Sequence, residues 1–171
     1  MGNHEEIQSR MGDAREQESI NLAIKLLYKS IGEKYVVLVP ALKPKSDTQK
    51  EALANSDDGD IWLVNLQEVE SVKAIKIVEV KRLSDDNVMA HFETRESWKL
   101  PNFIVDGVIQ LKRKKHFPYA YMCFNAKLTA YAVIYGHTYN YWEKQKTNGN
   151  GGIKEYYVID PDKIKFVKVD G

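Results

Sequence analysis

Cysteine is nearly missing from this chain: Cys123 is the only one among 171 residues. A single thiol rules out an internal disulfide framework and fits a reducing compartment. Histidine is also sparse, with four residues at positions 4, 91, 116 and 137, so a thiolate or imidazole zinc centre is not expected. No apolar run approaches the roughly 20 residues that a membrane-spanning helix needs. Met1 to Glu18 is polar and charged, without the apolar core of a signal peptide. These absences lead to the expectation of a cytoplasmic, single-domain protein spanning residues 1–171, with 1–13 as a flexible tail and no membrane partner.

What is present is an ordinary globular composition, 43% hydrophobic and 29% charged, in a chain long enough to bury about two thirds of its unfolded surface. The net charge of +1 hides an uneven distribution. Residues 1–70 hold 8 Lys+Arg against 13 Asp+Glu, whereas residues 71–171 hold 17 against 11. An acidic first part suits a cation and a basic second part suits a polyanion, although solvated faces produce the same arithmetic.

Periodicity supplies the elements. Ile20, Ala23, Ile24, Leu27 and Ile31 recur at helical spacing, predicting an amphipathic helix from about Ala14 to Ile31, with Asp13 and Glu16 at capping-box spacing and Gly32 at its end. Tyr35–Val39, Ile61–Leu66 and Lys73–Leu83 read as strands, separated by a polar loop over 43–59 and a turn over 67–71. Val88–Thr94 reads as a further strand, as does Phe103–Leu111 with an interruption at Asp106-Gly107. Two hairpins follow, Tyr119–Phe124 with Thr129–Tyr135 and Tyr139–Lys144 with Ile153–Ile159. Ile164–Val169 closes the sheet. One helix and many strands define an α+β fold.

The most strand-like segment carries the chemistry. Ile75, Ile77, Val78 and Val80 form an apolar run buried on both faces, yet Glu79 and Lys81 stand in it. Two residues apart on a strand, they share a face. Burying such groups costs several kcal/mol unless they are paired or coordinate something. The plain reading is a mutual ion pair. If the strands over 61–66 and 73–83 form a hairpin, however, Asp60 converges on Glu79. Two adjacent carboxylates repel unless a cation lies between them, and oxygen donors suit Mg²⁺ or Mn²⁺. A metal with an ammonium beside it is the equipment of phosphodiester hydrolysis.

A helix, a strand, then Asp60…Glu79-Val80-Lys81 on adjoining strands resembles the PD-(D/E)xK nuclease superfamily over roughly residues 18–83. The resemblance implies a restriction-endonuclease-like core: a mixed β-sheet with an N-terminal helix and, here, additional C-terminal strands. It implies Asp60 and Glu79 as ligands of Mg²⁺ or Mn²⁺, Lys81 as the residue positioning the attacking water, and Glu18 as a helix-borne third acid, with Glu33 a weaker counterpart. No proline precedes Asp60, and Asp58 is an alternative ligand. The function implied is a metal-dependent endonuclease acting on DNA, less readily RNA, and by analogy a homodimer with one site per strand.

Lys112-Arg113-Lys114-Lys115-His116, beside Phe117, Tyr119 and Tyr121, is a basic run next to aromatics. With Arg82 and Lys99 it forms the candidate phosphate-contacting set, a solvated turn being the plain alternative. His91 and Glu93 share a face if Val88–Thr94 is extended. Asn148-Gly149-Asn150-Gly151-Gly152 lacks the Lys-Ser/Thr of a phosphate-binding loop and reads as a turn. Two rival functions remain: a non-catalytic nucleic-acid-binding module of the same fold, and a protein-interaction domain using the tyrosine-rich second half.

Overall fold

The computed structural model describes residues 2–31, 35–38, 59–65, 75–149 and 152–170. Helix α1 (Gly2–Ile31) is followed by strands β1 (Tyr35–Leu38), β2 (Ile61–Asn65) and β3 (Ile75–Arg82). Then come β4 (Phe103–Gly107), helix α2 (Val108–Arg113), β5 (Ala120–Phe124), β6 (Ala130–Tyr135), β7 (Glu143–Gly149), β8 (Gly152–Ile159) and β9 (Lys165–Lys168). The fold is α+β with a mixed sheet and one N-terminal helix. Six strands form the main sheet in the order β1-β2-β3-β5-β6-β9, and β4-β8-β7 form a second. All neighbours in the main sheet are antiparallel except β3 and β5.

Two cores lie on opposite faces of the main sheet. Under α1, Ile20 and Ala23 pack on Val37, Ile61, Leu63, Val78, Met122 and Phe124. Burying an Ile or Leu fully is worth about 1.5–3 kcal/mol over leaving it exposed, so this face anchors the helix. The other core lies between the two sheets, where Phe92, Trp98, Phe103, Val105, Tyr121, Cys123, Ile134, Tyr157 and Ile159 meet. β3 and β5 are the central strands, covered on both sides.

Several expectations are corrected. The helix begins at Gly2 rather than near Ala14. Nothing in that stretch is a proline, and Asp13 lies inside the helix rather than at its start. Residues 88–94 are turns, not a strand: Ala90 and Phe92 N–H groups donate to Asn87 and Met89 carbonyls at 3.0 and 3.1 Å. The Ala90 and Phe92 side chains still point into the core, while Val88 is exposed. The apolar run over 103–111 changes from strand to helix at Gly107. Residues 139–141 belong to a short 3-10 helix, and β7 starts only at Glu143. Gly32, Glu33, the loop over 43–58 including Asp58, and the turn over 67–71 lie outside the described residues. Among the described residues no helix is long and apolar enough to cross a membrane.

Candidate functional site

Alternation along β3 sends Val78 and Val80 towards α1, and Ile77, Glu79 and Lys81 towards the second sheet. The antiparallel register pairs Ile61 with Val78, so continuing it one residue sets Asp60 against Glu79. The Val80 N–H donates to Asp60 Oδ2 at 2.8 Å. Gly59, at φ +77°, makes this delivery possible: a Cβ there would collide with Ile77 Cγ2.

Asp60 and Glu79 meet closely enough for each carboxyl group to perturb the protonation of the other. Burial, then the neighbouring Asp60 charge, pushes Glu79 up to about 7, against the pull of the Lys114 ammonium. Burial likewise raises Asp60, opposed chiefly by the Val80 N–H. The Asp60 carboxylate thus disfavours ionisation of Glu79, as expected for two acids in one poorly solvated site, whereas Glu79 favours the ionised form of Asp60.

Two lysines complete the cluster. Lys81 Nζ donates to the Val105 carbonyl at 2.7 Å and to Asp106 Oδ1 at 3.1 Å. Lys114 Nζ lies 3.4 Å from Glu79 Oε1 and 3.7 Å from Asp106 Oδ2. Buried Asp106 is the junction: its Oδ1 also accepts from the Gly107 N–H at 2.9 Å, and its Oδ2 from the Tyr121 hydroxyl at 2.8 Å. Burial and the Asp106 carboxylate raise the Tyr121 phenol far above its usual range, keeping it a donor. The plain reading of Glu79 and Lys81 as each other's partners does not hold: Lys81 pairs with Asp106, and Glu79 with Lys114. The Lys81 side chain stays 36% exposed while that of Glu79 is only 11% exposed, so the amine reaches solvent above a sheltered carboxylate.

No family model, curated protein or solved structure matches this chain. What the centre can do rests on its own residues.

The other candidate residues fall elsewhere. Glu18 accepts from Arg82 at 3.1 Å, and Arg82 also donates to the Ala126 carbonyl through Nε and Nη2 at 2.9 and 2.6 Å. Both residues are therefore engaged on the α1 side of β3, away from the face that Glu79 occupies. Glu16 is the helix acid whose charge is felt at Asp60. Lys112, Arg113 and Lys115 are exposed at the end of α2, and Lys99 is exposed after Trp98. Glu93 lies 4.0 Å from Lys168. Asp106 and Tyr121 were missed by sequence reasoning, and Lys114 was grouped with the phosphate contacts. The available signal was the carboxylate of Asp106 inside an apolar run, the same anomaly that exposed Glu79.

Asp60 and Glu79 fit a hard divalent cation. Mg²⁺ typically takes one or two carboxylates and keeps several waters, so a pair of acids suffices. Among the described residues no group of three or more His, Cys, Asp or Glu is gathered to hold a metal. The pair nonetheless already attracts positive charge: the Lys114 ammonium lies 3.4 Å from Glu79 Oε1. Cys123 plays no part as a ligand here, since burial raises its thiol to about 12.

Proposed function

We propose that this protein is a metal-dependent endonuclease of PD-(D/E)xK type, hydrolysing phosphodiester bonds in DNA or, less favourably, RNA. The observation that carries the reading is the meeting of Asp60 and Glu79 across β2 and β3, with Lys81 on the same face of β3. A restriction-endonuclease-like core is part of the proposal. It is supported by α1, the antiparallel β1-β2-β3 ladder and a fourth strand, β5, parallel to β3.

Asp60 and Glu79 would hold Mg²⁺ or Mn²⁺, which when bound acidifies a water and screens the phosphodiester. To do so Glu79, whose pKa is raised to about 7, must be ionised. Lys81, fixed by the Val105 carbonyl and Asp106, retains donor capacity towards solvent for orienting the attacking water. Lys114 supplies a second ammonium for the charge that develops on the phosphate. Water adds to phosphorus, the ester oxygen leaves, and a proton passes to that leaving oxygen. Lys112, Arg113 and Lys115 contribute phosphate contacts that do not read sequence. Cutting both strands of a duplex calls for two copies, so a homodimer on DNA belongs to the same proposal.

The test is incubation of supercoiled plasmid and single-stranded DNA with Mg²⁺, Mn²⁺ or EDTA. Cleavage that needs the metal and is lost in Glu79→Gln and Lys81→Ala is expected. Salt-sensitive DNA retention without cleavage under either metal would instead leave a binding module.

A further inference from the structure

Beside the carboxylate pair, where β3 and β5 begin, lies a cleft of about 370 Å³. This is at the small end of the range that holds organic ligands, about 300–1,000 Å³. Its lining includes Lys76, Ile77, His116, Phe117, Tyr119 and His137, and among the described lining residues none is acidic. Phe117 and Tyr119 are 52% and 39% exposed, unusual for large rings beside a core. Both are held in place rather than loose. Phe117 stacks on Trp142 with ring centroids 5.9 Å apart and planes 21° apart, and Lys76 Nζ lies 4.4 Å from the Tyr119 centroid. His137 stacks on Tyr135 at 5.4 Å.

The cleft lies near the candidate centre, although Asp60, Glu79, Lys81 and Lys114 are not among its described lining residues. Ile77 precedes Glu79 by two residues on the same strand face, about 7 Å. A second link runs through rings: Trp142 lies 6.1 Å from Tyr121, whose hydroxyl donates to Asp106. An occupant of the cleft would therefore sit at the Ile77 end of the strand that carries Glu79.

We propose that this cleft is a stacking subsite for unpaired nucleobases, so that the substrate is nucleic acid with a single-stranded segment at the scissile position. The inference rests on the nuclease reading and names its substrate class. Exposed, fixed rings offer π-faces to bases without reading their identity, and the lysine and histidines favour the adjoining phosphates. In an intact duplex both faces of a base are covered by its neighbours, so only an unstacked base can use these rings.

Fluorescence anisotropy in EDTA tests this with three labelled probes: oligo(dT), an abasic oligomer of equal length and charge, and a blunt duplex. Oligo(dT) is expected to bind about tenfold or more tightly than the abasic oligomer. Tyr119→Leu and Phe117→Leu should each erode that preference while leaving abasic binding unchanged. Equal affinity for oligo(dT) and the abasic oligomer, or a preference that both variants retain, overturns the proposal. Retention of no probe also overturns it and leaves the rings to a protein partner. Repeating the measurement with Mn²⁺ separates the two readings. Base preference without cleavage keeps the subsite and removes the nuclease; cleavage without base preference does the reverse.

Discussion

At the scale of single residues, Glu79 has the most distinctive linkage to pH. Its folded value of about 7 lies above the ordinary 4.5. Below 4.5 the group is protonated in both states and contributes nothing to the slope. Between 4.5 and about 7 the unfolded chain releases the proton while the folded chain keeps it, so stability falls as pH rises through that window and then levels. Thermal melts should show this decline, and Glu79→Gln should flatten it, gaining on the order of 2 kcal/mol at about pH 8 while abolishing cleavage. A marked loss of stability in Glu79→Gln would instead make Glu79 a structural partner of Lys114. Asp106 should behave oppositely. Asp106→Ala removes the carboxylate beside two ammonium groups and the acceptor of a buried phenol, and is expected to cost about 3–5 kcal/mol, measured by urea denaturation. Tyr121→Phe should cost about 1 kcal/mol, and by loosening Asp106 should lower the cleavage rate about 10–100-fold with little change in substrate binding.

At the scale of elements, the turn into β2 is the critical joint. Gly59→Ala is expected to destabilise by about 1–3 kcal/mol and to weaken any metal-induced rise in melting temperature, because Asp60 cannot stay in register without the positive φ at Gly59. The sequence made this hairpin legible: the β-rich runs around Trp62 and Val78 admit few registers that bury both, and one of them brings Asp60 to Glu79. The β5–β6 hairpin was legible for the same reason. The segment after β3 was not. Ala90, Phe92 and Trp98 mimic an alternating strand, but local bonds such as Asn87 Oδ1 accepting from the Met89 N–H at 2.9 Å win over pairing. The switch from strand to helix at Gly107 was equally hidden, since Val108, Ile109 and Leu111 suit either state. Because Asp106 and Lys114 flank that switch, half of the polar cluster could not be placed from residue spacing. Asp60, Glu79 and Lys81 come from one continuous ladder and could.

At the scale of the whole molecule, the proposed metal would compete with protons for one pair of acids. Mg²⁺ or Mn²⁺ should therefore raise the melting temperature more at about pH 8 than at about pH 6, and excess chelator should reverse the rise. Calorimetric titration should register proton release on binding, with a heat that depends on the buffer's ionisation enthalpy. A pH-independent metal effect would place the ion elsewhere. The parallel pairing of β3 with β5 carries a separate kinetic corollary. The ladder from β1 to β3 joins consecutive strands, whereas β5 reaches β3 only after the whole connection from Leu83 to Tyr119 has docked, and distant pairings of this sort form late. A folding chain thus brings its two acids together well before Asp106, Lys114 and the Tyr121 phenol arrive beside them. Completion of the polar cluster thereby waits on the one parallel strand pairing of the main sheet.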